Sequence, residues 1–246
     1  MLRWITVLAA LLCASLAYAE DNCRKVNHFT DIYTVCTFDP ATDDIRLYAA
    51  DDAGKPYGSF GALEASLWSE RRFIRFAMNG GMYEQDQTPV GLYIENGKQQ
   101  KSLDTGIGWG NFRLLPNGVF YIDAGKVGVM ETHAFASSGL TPAYATQSGP
   151  MLVIDGALHP AFLADSNSFK IRNGVGVTPD GKAVFAASDG AVRFHDFATL
   201  FRDGLGCRNA LFLDGSISSL YVPEWRRRDS AFPLGPIIAV TKHLPN

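Results

Sequence analysis

The stretch GVGVTPDGKAVFAASDGAVRF, residues 174–194, decides the fold. Three short apolar runs are cut by Pro179-Asp180-Gly181 and by Asp189-Gly190, both of which reverse a chain. The runs are too short for stable helices, and their Val and Phe content suits a pleated surface. The reading is strand, turn, strand, turn, strand. Reversals this tight join antiparallel neighbours, because parallel strands need a long crossover.

The same rhythm continues outward. GLYIENGKQQ, residues 91–100, places Asn96-Gly97 between two extended runs, a strong hairpin signal. LLPNGVFYIDAGKVGVM, residues 114–130, gives two more reversals. Two segments read as helices. In SFGALEASLWSERR, residues 59–72, Phe60, Leu63 and Leu67 share a face and Ser59 caps it. In HDFATLFRDGLG, residues 195–206, Phe197, Leu200 and Phe201 share a face, with Asp196 as cap and Gly204 or Gly206 as the end. The expectation is an α+β fold: a single domain with a mixed, mostly antiparallel β-sheet core and a few flanking helices. With 246 residues, 47% of them hydrophobic, and no repeat or linker, the chain suits one core over residues 20–246.

Residues 1–19 read as a secretory signal. Arg3 precedes the apolar run 4–12, and Ala17-Tyr18-Ala19 forms an A-x-A cleavage site before Glu20. Cys13 raises a lipoprotein leader instead, but the small residue expected just upstream is absent. The run is too short to span a membrane, so no span is expected in the mature form. Without the leader, 21 of the 22 basic residues face 25 acidic ones, a net charge of −4. There is no basic stripe for nucleic acid. Export makes the thiols oxidisable, and Cys23 and Cys36, flanking CRKVNHFTDIYTVC, are expected to pair, leaving Cys207 free and buried.

Polar residues gather where strands stop. Asn79-Gly80-Gly81 follows an apolar run, Gln147-Ser148-Gly149-Pro150 precedes another, and Arg172 stands at the mouth of a third. Asp189 and Asp214 both end strands, the latter in FLDGSISSLY, residues 212–221. Each junction alone reads as a turn. Together they read as one sheet edge collecting a site, and Asn79, Gln147, Arg172, Asp189 and Asp214 are expected to converge on one cleft. The five histidines have no ligand spacing, and the serines of 216–219 do not fit Gly-x-Ser-x-Gly, so a serine hydrolase and a zinc site are not supported. WRRRD, residues 225–229, reads as a solvated loop that adds positive potential if it lies near Tyr221.

The order of these junctions resembles the phosphodiester glycosidase family, which includes the enzyme that uncovers mannose 6-phosphate by removing N-acetylglucosamine from a phosphodiester. The resemblance runs from about Tyr33 to Val240 and is carried by Asn-Gly-Gly, Ser-Gly-Pro, Arg-x-x-x-Gly and the helix-then-strand FATLFRDGLGCRNALFLDG, residues 197–215. It looks closest to a bacterial periplasmic branch. One departure stands out: well-known members close with Leu-Asp-Gly-Gly-Gly-Ser, whereas Leu213-Asp214-Gly215 is followed here by Ser216-Ile217-Ser218.

The resemblance implies an exported hydrolase that cleaves a sugar 1-phosphodiester or a related anionic envelope glycan. Such a reaction needs a stabilised oxocarbenium-like centre, a positioned water and a cation on the departing anion. Asp214 is the candidate base or stabiliser, Arg172 the phosphate clamp and Asp189 a second carboxylate. Asn79 and Gln147 would bind sugar hydroxyls, with Ser148, Gly215 and Ser216 beside them, and Gly80 and Gly81 would offer an N–H nest. A divalent cation, calcium or magnesium, is left open. Two other readings remain: a non-catalytic envelope carbohydrate-binding protein, favoured by the altered loop, and a phosphodiesterase that cuts P–O.

Overall fold

The computed structural model describes residues 22–215 and 217–245; the expected leader, residues 1–19, and Ser216 lie outside the described residues. The described residues form three sheets, and every strand pairing within them is antiparallel. Sheet I has seven strands, in the order Cys23–His28, Asp31–Phe38, Ala183–Ser188, Asn173–Val177, Ala210–Phe212, Met151–Ile154 and Ala157–Leu158. Sheet II has five: Arg227–Arg228, Leu220–Val222, Arg72–Asn79, Ile237–His243 and Asp44–Tyr48. Sheet III also has five: Lys98–Lys101, Tyr93–Glu95, Tyr144–Ser148, Gly118–Asp123 and Lys126–Glu131. Among the described residues, no helix is long and apolar enough to cross a membrane.

The opening stretch folds largely as its turns dictate. Asn173–Val177 pairs with Ala183–Ser188, Val175 facing Phe185. The third run is different: Val192 makes only an isolated bridge to Lys170, and a helix, Phe194–Thr199, begins at once. That helix starts before the expected Asp196 cap. Arg193 occupies the cap position, and Asp196 lies in the first turn, hydrogen-bonded to Arg193 Nη1 at 3.3 Å. A π-helical turn, Leu200–Gly204, continues it. The first helix, Phe60–Ser69, is as expected, with Ser59 Oγ accepting from the Ala62 N–H at 3.2 Å. A third helix, Thr132–Ser137, carried no clear apolar period in the sequence.

Alternation along the strands explains the layering. Each sheet turns one face toward a shared core and the other toward a helix. Phe38 and Phe185 of sheet I, Phe76 and Met78 of sheet II, and Tyr93 and Phe120 of sheet III all enter the shared core. The opposite face of sheet I packs on Phe197 and Phe201, that of sheet II on Phe60, Leu63 and Leu67, and that of sheet III on Phe135. Cys23 faces Cys36 across the first hairpin, Cα atoms 4.0 Å apart, and the two are bonded. Cys207 is a buried free thiol, pushed up to about 12 by burial.

Candidate active site

Ends of strands from all three sheets meet at a buried polar cluster. Asn79 closes its strand in sheet II, Asn173 opens its strand in sheet I, and Asp214 follows Phe212 and Leu213 on the neighbouring strand. Asn173 Nδ2 donates to Asn79 Oδ1 at 2.9 Å and to the Asn79 carbonyl at 3.2 Å. Asn173 Oδ1 accepts from the Asp214 N–H at 2.8 Å. Asn79 Oδ1 also accepts from the Ser219 N–H at 2.8 Å, which folds the loop after Asp214 back onto sheet II. Ser148 Oγ, from sheet III, donates to the Leu213 carbonyl at 2.7 Å.

Asn79 is fully buried, and its Nδ2 has no hydrogen-bond partner among the described residues. Leaving such a donor unsatisfied costs about 1–3 kcal/mol, so the position asks for an explanation. Asp214 is 8% exposed. Burial, helped by the charge of Asp214, pushes the Tyr83 phenol up to about 12, so Tyr83 lies within electrostatic reach of that carboxylate. Tyr83 Oη in turn donates to the Pro233 carbonyl at 2.7 Å.

Arg172 is not an open clamp. It is 1% exposed, with its guanidinium 3.5 Å from the centre of the Phe194 ring and 5.6 Å from that of Phe212. Nε donates to the Val192 carbonyl at 3.0 Å and Nη2 to the Ser168 carbonyl at 3.0 Å. Nη1 makes no hydrogen bond among the described residues. Burial pulls the pKa down to about 10, with no carboxylate offsetting it, so the group stays cationic at neutral pH. The ladder between these strands ends at Gly174–Phe212, and just beyond it the Asn173 N–H donates to the Asp214 carbonyl at 3.4 Å, so Arg172 is the residue before the one that meets Asp214.

Other expected ligands turn out to hold the scaffold. Gln147 Oε1 accepts from the Leu92 and Asp104 N–H groups at 3.0 and 2.9 Å. Its Nε2 donates to the Asp104 carbonyl at 2.7 Å and to Thr132 Oγ1 at 3.1 Å. All four bonding positions of the amide are used, so nothing is left for a sugar hydroxyl. The Gly80 N–H donates to the Pro236 carbonyl at 2.6 Å and is therefore spent rather than presented to an anion. Gly81 is glycine because a Cβ would lie 2.5 Å from Thr146 Oγ1 and 2.7 Å from the Gln147 carbonyl, where sheets II and III touch. Gly215 sits over Phe212, where a Cβ would come within 2.7 Å of the ring.

Asp189 lies in a neighbouring cleft of about 500 Å³, bordered by Ser188, Ser218, Ser219, Arg227 and Asp229. Lys25 holds its Oδ2, Thr34 Oγ1 donates to its Oδ1 at 3.0 Å, and Arg227 Nη1 stands 3.5 Å away. Asn79, Gln147, Arg172 and Asp214 do not line this cleft, so the five expected residues do not all face one space. WRRRD is not a free loop either. Arg227 pairs with Asp229 at 2.9 Å, and Arg228 stacks on Tyr221 at 4.6 Å and pairs with Glu64. Among the described residues no three His, Cys, Asp or Glu side chains come together as a metal site, and Asp189 and Asp229 are already neutralised by Lys25 and Arg227.

The family model described as phosphodiester glycosidase matches residues 73–241, about two thirds of the chain and all the strand ends just described. The chain belongs to the phosphodiester glycosidase family. It is 37% identical over 239 residues to the uncharacterized protein YigE of Escherichia coli (strain K12), covering 96% of this chain and 91% of that one. Its fold is similar to the zebrafish N-acetylglucosamine-1-phosphodiester alpha-N-acetylglucosaminidase catalytic domain auto-inhibited by its pro-peptide, with TM-score 0.62 and 13% identity, over 91% of this chain and 82% of that one. A Burkholderia pseudomallei K96243 protein inferred to be exported has TM-score 0.52 and 12% identity, over 87% of this chain and 74% of that one. Asn173, Tyr83 and Ser219 were missed in the sequence, although each lies within a few residues of a position that was singled out.

Proposed function

We propose that the chain is an exported hydrolase that cleaves the glycosidic bond of a sugar 1-phosphodiester in the cell envelope. The observation that carries this reading is Arg172, a buried guanidinium that no carboxylate offsets and that has one nitrogen left over, next in the chain to Asn173, which binds the Asp214 N–H. A fixed cation of this kind favours an anion at the strand ends. Family membership and the fold of the zebrafish glycosidase support the reaction class. The disulfide and the inferred export of the Burkholderia neighbour support the location.

In the reaction, a water oxygen attacks the anomeric carbon as the carbon–oxygen bond breaks. The bonding pair leaves with the phosphate monoester, which needs little protonation. Asp214 stabilises the oxocarbenium-like centre and takes the proton that the water gives up, while Arg172 attracts the departing phosphate. The test is turnover of a sugar 1-phosphodiester by the mature protein in oxygen-18 water. Label in the sugar supports this reading. Label in the phosphate would replace it with P–O cleavage, and tight binding without turnover would replace it with a carbohydrate-binding protein.

A further inference from the structure

The orientation of two buried amides is fixed by two main-chain N–H groups. The Ser219 N–H can only donate, so the oxygen of Asn79 must face it at 2.8 Å. The Asp214 N–H can only donate, so the oxygen of Asn173 must face that one at 2.8 Å. Asn173 Nδ2 is then left to point at Asn79 Oδ1, which it meets at 2.9 Å. Asn79 Oδ1 thus receives two donors, and Asn79 Nδ2 is forced the other way, buried and without a partner among the described residues.

We propose that Asn173 is a positioning residue that locks Asn79 with its amide donor turned to the substrate, so that this point selects a phosphoryl or acyl oxygen. Asn79 presents a donor there and no acceptor, its own oxygen being taken twice. An oxygen that can only accept takes one of these N–H bonds with no proton of its own to place, whereas a hydroxyl must find a home for its own proton as well. The idea rests on the proposed hydrolase reading only for its kinetic arm. Asn173→Asp is the informative change. It keeps an oxygen for the Asp214 N–H but replaces the donor to Asn79 with a carboxylate, so the Asn79 oxygen is left with the Ser219 N–H alone and its nitrogen is drawn toward residue 173.

The first measurement needs no turnover. In the mature protein labelled with nitrogen-15 asparagine, the Asn79 side-chain signal is identified by its loss in Asn79→Ser. Titration with inorganic phosphate or with methyl N-acetylglucosaminide should shift it, and methyl glucoside should not. A shift with phosphate assigns a phosphoryl oxygen, and a shift with the acetylated sugar assigns an acyl oxygen. The response should weaken severalfold in Asn173→Asp and in Asn173→Ser, where the Ser219 N–H alone holds the amide, the second variant covering a failure of the first to fold. No shift with any probe, an equal shift with methyl glucoside, or an unchanged response in the Asn173 variants would overturn the proposal.

The second measurement is a double-mutant cycle on kcat/KM. Asn173→Asp should cost roughly 10²-fold alone and almost nothing more in an Asn79→Ser background. Independent, additive losses would overturn positioning through Asn79. A wild-type protein that hydrolyses no phosphodiester, yet shows the expected amide shifts, removes the hydrolase reading and leaves the positioning role standing.

Discussion

Asp214 is held from several sides, so its charge and its place in the fold can be separated. Its N–H is taken by Asn173 and its carbonyl receives Ser218 Oγ at 3.1 Å, both independent of the carboxylate's charge. Asp214→Asn should therefore fold with a Tm close to wild type and lose about 10²–10⁴-fold in kcat on a sugar phosphodiester. Melting and turnover measured on one preparation check this. A stable variant with full activity would take Asp214 out of the chemistry. Glu95 gives a second residue-scale prediction, with a sign that can be worked out. Burial raises its pKa, against the hydrogen bonds from Tyr93 Oη at 3.0 Å and from the Ala49 N–H at 3.2 Å. A carboxyl whose pKa is higher folded than unfolded adds stability below its unfolded value and loses it as pH rises through the folded value. Glu95→Gln should therefore raise Tm at pH 8 and lose that advantage near pH 4, which melts at the two values will show.

Elements were legible where local chemistry alone decides them. Asn96 and Gly97 both take positive φ, 51° and 73°, so the Tyr93–Glu95 and Lys98–Lys101 hairpin follows from two residues. The Cys23–Cys36 pair was legible because its hairpin is local. Closing a loop of this size is worth about 3 kcal/mol, so Cys23→Ser/Cys36→Ser should lower the urea unfolding free energy by roughly that amount. A variant as stable as wild type would show that the hairpin needs no staple. The site was only half legible, for the opposite reason. A residue at a strand end can be read from sequence, which picked out Asn79, Arg172 and Asp214. What meets it there cannot, because the partners of Gln147 come from Leu92, Asp104 and Thr132 through the packing of other segments. Gln147 and Asn79 look alike in sequence, yet one is saturated and the other is left with an orphan donor. Asn173 was hidden beside Arg172, the more conspicuous neighbour.

At the scale of the molecule, the site exists because three sheets end together, and they are held by one aromatic cluster. Phe185 of sheet I lies 5.3 Å from Phe76 of sheet II and 6.0 Å from Phe120 of sheet III, ring centre to ring centre. It also lies 6.3 Å from Phe38 in its own sheet. Each sheet has its own helix on the outer face, so each is a candidate to unfold alone unless the shared core couples them. Phe185→Ala removes the ring that touches all three. It should cost about 3–5 kcal/mol, the range for deleting a buried aromatic. If the sheets form one cooperative unit, the urea midpoint should fall with the slope unchanged and a single transition kept. Fluorescence should then trace the same curve as circular dichroism, because Trp68 ends the helix against sheet II and Trp225 lies in the turn between two strands of that sheet, while Trp109 is already 99% exposed and changes little on unfolding. Two transitions, with fluorescence lost before the remaining strand signal, would mean that sheet II separates first. The polar cluster would then depend on Asn79–Asn173 contacts between loosely coupled parts rather than on a single rigid frame.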